Sequence, residues 1–190
     1  MTSCRPCDRR PRLPNARAIL AVLALLAVPL LPSLVVGCGE GPKYGRVVAD
    51  DEAPQAGLPT AEIEAAGRTL VAELCLDGPS RARGMKFRTE FPDDRAMLFV
   101  FPLDERGAKR FWMRDTLIEL DILFLEDDGT VINVHENCPP AVEQPGFSSD
   151  RACTLVLELR GGWCAEYGLG PGDRVTLPDG LFDRALPTNP

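Results

Sequence analysis

The chain has one histidine, His135, in 190 residues, and that scarcity removes several kinds of chemistry at once. A zinc-binding H-E-x-x-H helix and any multi-histidine metal centre are ruled out, because each needs a second imidazole. A serine hydrolase would have to use His135 as its base. No G-x-S-x-G elbow is present, however, and Ser80, Ser148 and Ser149 stand in turn contexts. Phosphate-cradling P-loops and the dinucleotide motif G-x-G-x-x-G are missing too. The cysteine spacings do not match a zinc site. Neither a cofactor nor a metal is expected. Asp115, Asp121 and Glu136 could serve acid-base work, but no two of them are marked out as a catalytic pair. No internal repeat is visible.

Charge is absent from residues 18–36, directly after a start that carries Arg5, Arg9, Arg10, Arg12 and Arg17 against Asp8. A basic n-region followed by an apolar h-region reads as a membrane-targeting signal over residues 1–37. Val35, Gly37 and Cys38 resemble the lipobox of bacterial lipoproteins, which makes Cys38 the expected lipidation site and first mature residue. An uncleaved transmembrane helix is the alternative, since the stretch is about long enough to span hydrocarbon. Pro29 and Pro32 weigh against it, because each removes a helix donor. The lack of any polar face weighs against a third reading, a buried core helix. The lipoprotein and transmembrane readings both place the rest of the chain outside the cytoplasm, in the cell envelope facing the periplasm or exterior. The net charge of −7 becomes more negative once the basic start is removed. An acidic globule is poorly suited to nucleic acid, and its membrane partner is reached through the lipid.

Residues 38–67 are rich in Gly, Pro, Ala and acid and read as a flexible tether. The folded domain is expected over 68–177, with 178–190 as a loose tail. Short apolar runs between turn signals predict strands over 69–76, 96–101, 111–116, 121–126, 130–136, 153–159 and 174–177. Asp127-Asp128-Gly129 is a hairpin signal. Two short helices are expected, one capped by Ser80 and running to Met85, the other over 162–167 and closed by Gly168. The fold class is therefore all-β: a compact antiparallel sandwich or barrel with two short helices. Four cysteines, Cys75, Cys138, Cys153 and Cys164, fall in the folded part, and an oxidising compartment permits bridges. Cys138 with Cys153 is the preferred pair because it closes the intervening Pro- and Gly-containing loop; four separate buried thiols are the alternative. His135 and Cys138 at H-x-x-C spacing could form a thiolate pair, which the disulfide would pre-empt.

The stretch FWMRDT, residues 111–116, concentrates candidate site residues. In an extended strand Trp112, Arg114 and Thr116 share one face, and Arg114 and Asp115 point apart. A flat ring beside a cation can receive a planar or anionic group. Asp121 and His135 stand at neighbouring strand ends and complete a candidate ligand site of Trp112, Arg114, Thr116, Asp121 and His135. The plainer reading is a set of solvated hairpin ends and one structural arginine. A rival functional reading is an envelope hydrolase or transferase with Asp115 or Asp121 as base and Arg114 on a developing oxyanion. Trp163 and Tyr167, four apart on a short helix, are assigned to packing.

In order along the chain occur RGMKFR (83–88), MLFVF (97–101), FWMRDT (111–116), LDILFL (120–125), DGTVINVHENCPP (128–140) and LELRGGWCAEYGLGPGDRV (157–175). Together they resemble the bacterial and archaeal family called domain of unknown function 192, over about residues 68–177. That resemblance implies a compact β-rich domain, often exported, without an established activity. Members commonly have Lys-Asn where Arg114-Asp115 stands here, and Ala where Cys138 stands. The change keeps the cation, adds a negative charge, and argues against a role that needs a neutral amide at 115. The expected function is thus binding of a small or extended envelope ligand by a lipid-anchored domain.

Overall fold

The computed structural model describes residues 52–142 and 146–186. The expected signal peptide at 1–37, the anchor Cys38 and the tether up to residue 51 lie outside the described residues. Among those described, no helix is long and apolar enough to cross a membrane.

Ten elements follow in order: β1 (Thr60–Ala65), β2 (Arg68–Cys75), α1 (Gly78–Arg83), β3 (Arg95–Val100), β4 (Arg110–Phe111), β5 (Leu120–Leu125), β6 (Val131–Cys138), β7 (Phe147–Ser148), β8 (Leu155–Arg160) and α2 (Trp163–Tyr167). Six strands form one sheet in the order β1-β2-β3-β8-β5-β6, and β4 pairs with β7 in a separate ribbon. The mainly-β expectation is borne out, and the form is sandwich-like instead of a closed barrel. One pairing is not antiparallel: β2 and β3 run parallel, from Val71 beside Arg95 to Cys75 beside Phe99. A parallel neighbour requires a crossover connection. The chain between β2 and β3 supplies it and carries α1.

Why the central strands lack polar alternation follows from what covers them. Leu98, Leu123, Leu125, Leu155 and Leu157 face a core that includes Trp163, Val175 and Leu181. Met97, Phe99, Ile122, Phe124 and Val156 face a second core with Met85, Phe91 and Met113. A strand buried on both faces reads as one continuous apolar run. In such a strand a charged residue has no outward position, and β5 and β8 each bury one acid, Asp121 and Glu158, exposed 0% and 4%.

Several boundaries depart from expectation. β1 lies inside the residues assigned to the tether; it is an edge strand that buries only Ile63 and Ala65 deeply, so its sequence TAEIEA looks polar. The tail is docked over its described part: Leu181 is buried, and the Leu186 amide donates to the Leu76 carbonyl at 2.7 Å. The first helix is capped by Asp77, whose carboxylate accepts from the Ser80 amide at 2.7 Å, while the Ser80 hydroxyl returns the bond in a capping box. Residues 174–176 join by bridges instead of a full strand, Arg174 to Thr130 and Thr176 to Glu64. They pass so close to Gly129 that a Cβ there would lie 2.1 Å from the Val175 carbonyl oxygen.

The disulfide expectation is corrected. All four cysteines of the folded part are free and buried. Cys138 stands opposite Leu120 at one end of β5, whereas Cys153 lies just ahead of Leu155, which pairs with Leu125 at the other end. The length of β5 separates them by about 16 Å at the usual rise of about 3.3 Å per residue, far beyond disulfide reach. Burial pushes the Cys138 thiol up to about 12 and raises the other three as well, so thiolate chemistry, including an H-x-x-C pair, is suppressed.

Candidate functional site

FWMRDT is not a strand along its length. Only Arg110–Phe111 pairs, with Ser148 and Phe147. After that the chain turns: the Thr116 amide donates to the Met113 carbonyl at 3.1 Å, and Asp115 takes the left-handed conformation at φ 58°. Backbone bonds from outside fix the turn, Phe87 N to Asp115 O at 2.8 Å, Met113 N to Val142 O at 2.9 Å and Ala141 N to Thr116 O at 3.0 Å. Strand alternation therefore does not decide where these side chains point. Met113 is fully buried, Thr116 is buried, and Trp112 stays half exposed at 51%. Asp115 lies 3.4 Å from Lys86 and 3.8 Å from Arg114, so Arg114 and Asp115 do meet, contrary to the extended-strand expectation.

Trp112, Arg114 and Thr116 come together in one cavity of about 400 Å³ between α1, the segment after β4 and the second face of the large sheet. Met85, Phe99, Phe101 and Phe111 supply its apolar wall, and Arg81, Arg83, Lys86, Arg110 and Arg114 its cations. Gly84, just past α1 at φ 50°, lets that turn settle on Phe99; a Cβ would stand 3.3 Å from the ring. Arg81 donates to the Val100 carbonyl at 2.8 Å and to the Leu186 carbonyl at 3.0 Å, and its guanidinium lies 4.8 Å over Phe101. α1 is thereby tied to both the sheet and the C-terminal segment.

One acid contributes to the cavity, Glu158, and sequence reasoning missed it. It sits between Met97 and Ile122 on the second face. Its Oε2 is buried without a hydrogen-bond partner. Burial pushes its pKa up to about 8 against the opposing charge of Arg88, which is itself bound to Glu73 at 2.8 and 2.6 Å. The carboxyl is thus mostly protonated at neutral pH. The signal was a lone acid inside LVLELR, a run with no outward face.

Asp121 and His135 do not line the cavity. Both oxygens of Asp121 are used structurally: Oδ1 accepts from the Asn137 and Gly162 amides at 2.8 and 3.0 Å, and Oδ2 from the Cys164 amide at 2.8 Å. Gly162 offers α2 no side-chain cap, and Asp121 takes that role from a neighbouring strand. His135 packs edge-on against Phe124, with ring centres 5.9 Å apart, and its Nε2 lies 2.9 Å from the Ser148 carbonyl oxygen. The carbonyl can only accept, so Nε2 carries the hydrogen. Trp163 and Tyr167 pack together as expected, rings 4.7 Å apart, and their polar ends meet Asp93. Among the described residues, no group of three His, Cys, Asp or Glu is placed to hold a metal ion.

No curated protein matches the sequence. Solved structures do, the following two among them. One is a protein of Sinorhizobium meliloti, assigned provisionally as a transcription regulator, 33% identical over 64% of this chain and 95% of its own, with a TM-score of 0.58. The other is a protein of unknown function from Novosphingobium aromaticivorans, 32% identical over 69% of this chain and 94% of its own, with a TM-score of 0.59. A profile described as DUF192, an uncharacterized ACR, matches residues 61–177, beginning within β1 and ending where the last bridged segment ends. With that span covering every strand of the large sheet, the chain belongs to the domain of unknown function 192 family.

Proposed function

We propose that this chain is a lipid-anchored envelope protein that binds a small amphipathic anion in the cavity beside α1. The observation that carries the reading is the composition of that cavity: an aromatic and aliphatic wall, five cationic side chains, and a single acid that burial keeps protonated. An anion gains from the cations without facing a formal negative charge inside, and its apolar part gains from leaving water. Trp112 at the mouth offers a flat surface to whatever enters. The anchor at Cys38 rests on the lipobox-like sequence.

Titration of the full chain, purified from membranes, with anilinonaphthalene sulfonate tests the binding reading. Saturable fluorescence that Arg110→Ala and Arg114→Ala each weaken several-fold is expected; unsaturable or variant-insensitive signal refutes it. Intact mass on the same preparation tests the anchor, which requires a chain starting at Cys38 and carrying acyl groups.

The hydrolase or transferase reading has less support, because Asp121 is spent on three amides and Asp115 is engaged by Lys86 and Arg114. The regulator assignment of the Sinorhizobium relative finds little support here either. The described helices have six and five residues, too short to act as major-groove readers, and the chain is acidic.

A further inference from the structure

We infer that the cavity selects, among amphipathic anions, those carrying a neutral hydroxyl or amide at the end remote from the charge, and that Glu158 is the residue that reads that group. The inference rests on the binding reading above and names its ligand class more narrowly.

Three observations converge on Glu158. It is 4% exposed, in a strand whose other inward positions are apolar. It contributes to the cavity wall beside Phe99 and Phe111, and its Oε2 finds no partner within the protein. A buried polar atom left without a hydrogen bond is unfavourable. The Arg88 guanidinium, the cation that opposes the rise of its pKa, is held by Glu73. A group left in this condition at a cavity wall suits a partner that arrives with the ligand.

The chemistry of that partner follows from the protonation state. Burial keeps the carboxyl neutral at pH 7, so it offers both an O–H donor and a carbonyl acceptor. Hydroxyls and amides do the same and can meet both functions. A second carboxylate on the ligand would meet only one of them, and would have to be buried charged. Cations such as Arg110 and Arg114 then hold the ligand's own charge while Glu158 holds its far end. Other groups that act electrostatically with Glu158 do not change its state near neutrality: the Cys75 and Cys138 thiols, from β2 and β6, are raised well above pH 7 by burial.

Competition against anilinonaphthalene sulfonate at pH 7 decides the matter, using matched pairs of carboxylates: decanoate with omega-hydroxydecanoate, and phenylpropionate with para-hydroxyphenylpropionate. Wild type should prefer at least one hydroxylated member by about tenfold, the scale of one buried hydrogen bond gained or left unmade. Glu158→Gln retains a donor and an acceptor and should keep the preference. Glu158→Met fills the space without either and should abolish or invert it while still binding the unsubstituted acids. Equal affinities within both pairs in wild type, or a preference that survives in Glu158→Met, overturns the role of Glu158 and leaves the cavity as a plain anion site. If neither pair displaces the dye although the dye itself binds, the ligand class is wrong. If the dye does not bind, the underlying reading fails as well.

Discussion

His135 Nε2 stands 2.9 Å from the Ser148 carbonyl oxygen, and Ser148 is the residue paired with Arg110. Asn133 adds a bond to the same carbonyl at 3.0 Å and accepts from the Asp150 amide at 3.1 Å. The edge strand β6 therefore clips β7, and β7 holds β4, which carries Arg110 and Phe111 into the cavity wall. His135→Ala should weaken dye binding several-fold through this relay and cost about 1–2 kcal/mol of stability. Dye titration and chemical denaturation on the same sample check both; unchanged affinity would disconnect the clip from the site.

Asp121 is a structural residue. Substitution by Asn keeps one carbonyl oxygen but turns the other contact into an NH₂ group facing a backbone N–H. The loss of charge-assisted bonds to three amides should cost roughly 2–4 kcal/mol. Urea denaturation should show a lower midpoint with the slope unchanged. The remaining folded fraction should bind the dye normally, because Asp121 does not line the cavity.

Glu158 should be a stability liability. Glu158→Met removes an unpartnered buried carboxyl and is expected to raise stability by roughly 1–3 kcal/mol at pH 7. The pH dependence has a definite sign. An unfolded glutamate releases its proton near pH 4.3, whereas the folded one keeps it up to about 8. Across that window the native state binds one more proton than the unfolded state, so stability falls as pH rises and levels off above about 8. Asp77, Asp93, Glu126, Asp128 and Glu166 act oppositely. Hydrogen bonds hold their pKa values down, so they stabilise above the ordinary carboxylate range and that contribution is lost as pH falls through their lowered values. Denaturation midpoints from pH 4 to 9 should decline between about pH 5 and 8 in wild type relative to Glu158→Gln, and run parallel above about 8.

Asp115 occupies a left-handed position at φ 58°, which Asn tolerates more readily than most residues. Asn should therefore be accepted at this place. Asp115→Asn should leave stability within about 0.5 kcal/mol, since the ion pairs it gives up are partly exposed. With Lys86 and Arg114 relieved of the neighbouring charge, dye affinity should increase about two- to threefold. A decrease would mean that Asp115 orients those cations productively.

What could be read from sequence follows from where the controlling contacts lie. The central strands were legible because burial on two faces writes itself as apolar runs such as ILFL and MLFVF. The turn after Phe111 was not: its shape is set by Phe87, Val142 and Ala141, all distant in sequence. Trp112, Arg114 and Thr116 do share a site, but through that turn and not through strand alternation. Asp121 looked like a ligand group because its three amide donors lie 16 to 43 residues away. Glu158 is legible only through one rule, that an acid in a strand with no outward face must be buried.

The strap at 174–176 ties the beginning of the domain to its end. Thr176 and Glu64 exchange backbone bonds at 2.8 and 3.2 Å, and Val175 donates to the Gly129 carbonyl at 3.0 Å. Among the described residues, the outer edge of β1 therefore gains its covering from the far end of the domain. Until that end docks, β1 is an unpaired edge open to other chains. Such late, distant closure raises contact order and slows folding. The first strand of the domain is thus finished only when its last segment has docked.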